Sequence, residues 1–115
     1  MNRSQYSQRV STSDIDLLNY QDDTPILPKL EVLHLGFNKI KDMSLLRLKG
    51  FPILKSLFLE SNEIVKIDGL DNSHEIRHLV LDRNRIKDIE PQALLGQWRL
   101  EELHIGTGFT LQVEH

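Results

Sequence analysis

Cysteine is absent from the 115 residues, which excludes a disulfide framework and favours a reducing compartment. No apolar run approaches the roughly 20 residues that a membrane-spanning helix needs, and no apolar block follows Met1 of the kind a secretory signal uses. A membrane is therefore not an expected partner. Surplus positive charge is lacking too. Residues 26–113 hold twelve Lys and Arg against twelve Asp and Glu, so the net charge of −3 comes from Asp14, Asp16, Asp22, Asp23 and Glu114 against Arg3 and Arg9. Without a basic cluster the chain is poorly suited to a phosphate backbone, and nucleic acid is not an expected partner. No nucleophile stands beside a base and an orienting acid in a recognisable spacing, and the stretch Gly106, Thr107, Gly108 is too short for a phosphate-cradling loop. Neither enzymatic chemistry nor a cofactor is expected.

What the sequence has is internal repetition. Leu30, Leu33, Leu35, Asn38 and Ile40 recur as Leu54, Leu57, Leu59, Asn62 and Ile64, and again as Ile76, Leu79, Leu81, Asn84 and Ile86. A fourth copy opens with Leu100, Leu103 and Ile105 but has Gly108 and Thr110 where the Asn and the last aliphatic should stand. The copies begin 24, 22 and 24 residues apart. Amphipathic helices would not place an Asn at one offset three times. Alternation instead predicts short parallel strands whose Leu and Ile fill one core. An Asn at each bend has amide donors and an acceptor for backbone groups that the turn leaves unpaired.

This pattern, L-x-x-L-x-L-x-x-N-x-L, resembles the leucine-rich repeat family over residues 29–105. The resemblance implies an α/β fold: a short solenoid with a parallel concave sheet and 3₁₀ or helical turns on its convex side. The 22-residue spacing is similar to the class found in cytoplasmic phosphatase regulatory subunits, axonemal dynein light chains and ciliary scaffolds. It implies a non-enzymatic protein-binding module, cytoplasmic or ciliary, and a chain that is a fragment or a short product of a larger array. Extracellular members usually close their ends with disulfide-bonded caps, and this chain has no cysteine for them.

Outside the repeats, residues 1–12 read as a flexible tail with too few apolar residues for an amphipathic presequence helix. Residues 13–28 read as a capping segment, with Ser13 to Asp16 resembling a capping box ahead of a short helix from Asp14 to about Tyr20. In the first return, Ser44 to Leu48 should make a helical turn with Leu45 and Leu48 inward, stopped by Gly50. The second places Ile64, Ile67 and Leu70 at three-residue spacing, with Ser73 where another leucine would stand. The third starts a turn at Pro91 and ends it at Gly96, with Ala93, Leu94 and Trp98 available for the core. Asp42, Asp68 and Asp88 suit the capping of these turns. Residues 106–115 form an edge segment: Phe109, Leu111 and Val113 alternate, and could return antiparallel along the fourth strand. Uncovered, the open solenoid ends would invite self-association.

Strand alternation predicts two outward columns, Val32, Ser56, His78 and Glu102 beside His34, Phe58, Val80 and His104, with Glu60 and Asp82 just beyond. An exposed aromatic ringed by polar groups suits a protein partner, whereas cross-strand packing alone would also account for Phe58 and Val80. His34 and His104 should lie roughly 14 Å apart, too far to share a metal. His78, His104 and Glu102 come closer but do not make a convincing metal site.

Overall fold

The computed structural model describes residues 7–9, 26–106 and 109–112. The expected helix near Asp14 to Tyr20 lies outside them. Four repeat strands form where the alternation predicts: β2 (Val32–His34), β3 (Ser56–Phe58), β4 (His78–Val80) and β5 (Glu102–Gly106). They pair in parallel, each with the next, and the register aligns Leu33, Leu57, Leu79 and Leu103. These four leucines are buried while their neighbours on either side are half-exposed, the signature of a sheet with one dry face. Backbone bonds carry the pairing past the strands, as with Leu35 N–H to Phe58 O at 2.8 Å and Ser61 N–H to Asp82 O at 2.8 Å.

Two more strands flank the repeats. β6 (Phe109–Gln112) runs antiparallel to β5, aligning Glu102 with Gln112 and His104 with Thr110, with a bulge between His104 and Gly106. The antiparallel return expected of the C-terminal residues is therefore present. On the opposite side, β1 (Ser7–Arg9) pairs in parallel with β2. Of the residues 1–12 expected as a flexible tail, Ser7–Arg9 thus form an edge strand, and the others lie outside the described residues. Edge pairing uses backbone groups that every non-proline residue carries, so it needs no apolar pattern.

The asparagines stitch successive repeats together. Asn62 Nδ2 donates to Leu59 O at 2.9 Å and Glu60 O at 3.3 Å in its own bend, and to Leu35 O of the preceding repeat at 3.0 Å. Its Oδ1 accepts from the N–H groups of Asn38 at 2.9 Å and Ile40 at 3.0 Å. Asn84 likewise donates to Leu59 O and Leu81 O and accepts from Ile64 N–H. Asn38 Nδ2 reaches Leu35 O and Gly36 O. The residue before each asparagine, namely Phe37, Ser61 or Arg83, has φ between 58° and 63°. That left-handed step is costly for a residue with a side chain, and the asparagine bonds around it offset the cost.

On the convex side the first return comprises the 3₁₀ helices Met43–Leu46 and Leu48–Gly50. Met43, Leu46 and Leu48 are buried, and Leu45 is exposed rather than inward. Three residues per turn place Met43 and Leu46 on one side. Asp42 caps the first of these helices by accepting from Ser44 N–H and Ser44 Oγ, which lowers its pKa from the usual carboxylate value. Asp68 accepts from Gly69 N–H at 2.8 Å. Gly69 has φ 75°, and a Cβ there would stand 3.0 Å from Ser44 Cα, so glycine allows the second return to press on the first. The third turn, Pro91–Leu94, has Glu90 at its head without a side-chain cap, so Asp88 does not take that position.

Ile64, Ile67 and Leu70 are all buried as expected. Trp98, expected in the core, is instead exposed and stacks on His74 with ring centroids 4.4 Å apart. Gln97 is buried beside it and donates from Nε2 to Leu70 O at 2.6 Å and Ser73 O at 3.3 Å. The amide nitrogen carries two N–H donors for these two backbone acceptors, whereas an indole carries one. Ser73 is buried, and its Oγ has no hydrogen-bond partner. Ser73→Ala should therefore raise stability by about 1 kcal/mol, because it removes an unsatisfied hydroxyl while keeping the backbone. Urea unfolding checks this, and a fall in stability would show that the hydroxyl is bonded.

Candidate interaction face

The residues chosen from sequence come together on one surface. The strand register aligns Val32, Ser56, His78 and Glu102 in one column and His34, Phe58, Val80 and His104 in the next. All eight are half-exposed, because each flanks a buried leucine and strand side chains alternate between faces. Glu60 and Asp82 lie two residues beyond Phe58 and Val80 and are also partly exposed.

The face divides into two chemical zones. His34 stacks on Phe58, with centroids 4.6 Å apart and planes 12° from parallel, which fixes a flat aromatic surface next to Val80. Towards the C-terminal side, Glu102 Oε1 lies 3.3 Å from His78 Nδ1 and 3.4 Å from His104 Nε2. The two imidazoles thus bracket one carboxylate oxygen, as adjacent strands allow for a residue and its diagonal neighbour. No group of three or more His, Cys, Asp or Glu among the described residues is placed to hold a metal ion.

The acids at the far end of the strands have an unusual setting. Glu60 lies across Gly36 of the preceding repeat: a Cβ on Gly36 would collide with Glu60 Oε1 and stand 2.8 Å from its Cδ. The missing side chain is what lets the carboxylate settle there. Glu60 Oε2 and Asp82 Oδ1 are both shielded from solvent and have no hydrogen-bond partner. Sequence reasoning placed these acids on the rim but missed the role of Gly36. Its signal was visible only as a small residue at the position that Glu60 and Asp82 occupy in the next two copies.

Away from this face, the third return contributes a second exposed apolar group, Leu95 and Trp98. It was not anticipated as surface. No helix among the described residues is long and apolar enough to cross a membrane.

Comparison with known proteins agrees with this architecture. The family described as Leucine rich repeat matches residues 28–86, over half of the chain. A protein phosphatase 1 regulatory inhibitor subunit PPP1R7 homolog from Arabidopsis thaliana is 33% identical over 84 residues, covering 73% of this chain and 25% of the relative. The chain thus spans about a quarter of the length of that relative. With the repeated leucines in one core, the asparagines at the bends and the strands in parallel register, the chain belongs to the leucine-rich repeat family.

Proposed function

We propose that the chain is a non-enzymatic protein-interaction module that binds its partner on the concave face. One observation carries this reading: Phe58, held flat by His34 and flanked by Val80, lies half-exposed at the middle of the sheet with polar side chains around it. A partly exposed aromatic inside a polar ring is the composition of a binding hot spot. Val32, Ser56, His78, Glu102 and His104 complete the surface, with Glu60 and Asp82 at its rim. The carboxylates there disfavour a nucleic-acid ligand.

The regulatory relative supplies a first partner, protein phosphatase 1. The absence of cysteine supports an intracellular setting. Localising the tagged chain in ciliated cells distinguishes a ciliary from a general cytoplasmic site. Phe58→Ala should weaken binding to purified protein phosphatase 1 by about 1–3 kcal/mol, or roughly 5- to 150-fold, with little change in the thermal melt. Calorimetric titration checks this, and equal affinity of the variant would move the interface off the concave face.

A second reading treats the chain as a stacking segment of a longer scaffold with no ligand of its own, and the quarter-length match to the relative favours it. Under that reading Phe58 serves cross-strand packing. The substitution then lowers the melting temperature and leaves partner capture by the longer protein unchanged.

A further inference from the structure

Histidine gathers on the concave face. Three of the five in the chain, His34, His78 and His104, stand at outward positions on β2, β4 and β5 and are half-exposed, so water and a docking partner can both reach them. Every strand of the sheet bears on their surroundings. β1 aligns Arg9 with His34. The outward residues of β3, Ser56 and Phe58, carry no charge, and β6 sets Gln112 and Thr110 opposite Glu102 and His104. The rim adds Glu60 and Asp82. At the strand entrances Glu31 pairs with Lys55 at 2.9 Å, while Arg77 and Glu101 precede His78 and Glu102.

Histidine is the side chain that changes charge between about pH 8 and pH 5. With the three rings neutral, the outward positions and the rim set the carboxylates of Glu60, Asp82 and Glu102 against Arg9 alone. Protonation adds three cations, and four positive groups then stand among three negative ones. The added charges are badly placed for a docked partner. His34 is half of the stacked aromatic surface, so a partner that covers Phe58 also strips water from the imidazole, which is costly once that ring is charged. Glu102 Oε1 lies 3.3 Å from His78 Nδ1 and 3.4 Å from His104 Nε2. One carboxylate offsets one imidazolium and leaves the other in surplus.

We propose that these three histidines make the concave face proton-gated: the neutral face holds the protein partner, and protonation releases it. The inference rests on the concave-face reading and adds the regulation of that site. A partner that binds the neutral face more tightly expels protons from it, and by linkage protons weaken the partner to the same extent. Affinity therefore falls as pH falls through the histidine range. The gate needs no change of fold, because the rings that take up the protons belong to the docking surface itself.

The test is calorimetric titration of the full chain with purified protein phosphatase 1 at about pH 8 and about pH 6, in two buffers of different ionisation enthalpy so that the proton count is read with the affinity. The wild type should bind at least about tenfold more weakly at the lower pH and should release protons on binding between the two. The triple variant His34→Phe, His78→Gln, His104→Gln keeps a ring on Phe58 and amides beside Glu102 but cannot take up a proton there. The ratio of its two affinities should stay within about twofold, which also accounts for titration of the phosphatase itself. Proton release is read on the wild type alone, so it does not depend on how well the variant folds. A wild-type ratio no larger than that of the variant, or binding without proton release, overturns the proposal. Phe58→Ala separates the two levels. If it leaves the affinity at the higher pH unchanged, the concave face is not the site and the gate falls with it. If it weakens binding while the wild-type ratio matches that of the triple variant, the face stands and the gate does not.

Discussion

Asn62→Ala should cost about 3 kcal/mol or more of folding stability. The side chain gives three carbonyls a donor and two N–H groups an acceptor, in its own repeat and in the one before; alanine leaves the N–H groups of Asn38 and Ile40 unpaired in a buried bend and takes one of two donors from Leu35 O, Leu59 O and Glu60 O. Each buried group left unsatisfied costs roughly 1–3 kcal/mol, and partial relaxation keeps the total below the sum. For a chain of about four repeats that is a large share of a total stability on the order of 5–15 kcal/mol. Urea unfolding is the measurement. Asn62→Asp sharpens it, since the acid keeps acceptors for Asn38 and Ile40 but removes the donors to Leu35, Leu59 and Glu60. Both variants should be strongly destabilised, and a loss below about 1 kcal/mol for Asn62→Ala would mean that other groups close the bend.

Removing residues 109–115 should have the next largest effect. β6 covers the backbone edge of β5 through an antiparallel ladder, and on the other side β5 pairs with β4. Without β6, the N–H and C=O groups of β5 that bond to it lose their partners, and an unprotected edge is a template for another chain. A drop of about 2–4 kcal/mol is expected from the lost backbone bonds and burial, together with concentration-dependent association in sedimentation experiments. A monomer with an unchanged melt would show that the ladder contributes nothing to stability.

The central architecture was legible because it is periodic. Leu33, Leu57, Leu79 and Leu103 lie in the core and their neighbours on the outward face, since a strand has only two faces and the leucines occupy one. The convex details were less legible because their period is local. Leu45 and Met43 are both apolar, and only the start of the 3₁₀ turn at Asp42 decides which points inward. Trp98 lies outside its expected place in the core for a similar reason: hydrophobicity favoured the indole, whereas Leu70 O and Ser73 O are served by the amide of its neighbour Gln97. β1 was invisible because backbone pairing leaves no side-chain signature. At the candidate site, the outward columns followed from alternation. The seat of Glu60 over Gly36 depended on a glycine one repeat earlier, a relation that appears only when the copies are stacked.

The asparagine contacts also have a direction. Asn62 closes the bend that contains Asn38 and Ile40, which lie 24 and 22 positions earlier, and Asn84 supplies the acceptor for Ile64, 20 positions earlier. In each of these bonds the acceptor comes from the repeat that follows. During synthesis on the ribosome, a bend therefore waits for the succeeding stretch of chain to leave the exit tunnel before its own N–H groups are matched. The solenoid thus matures one repeat behind its own translation, and the newest bend remains open to water or to a chaperone until its successor arrives.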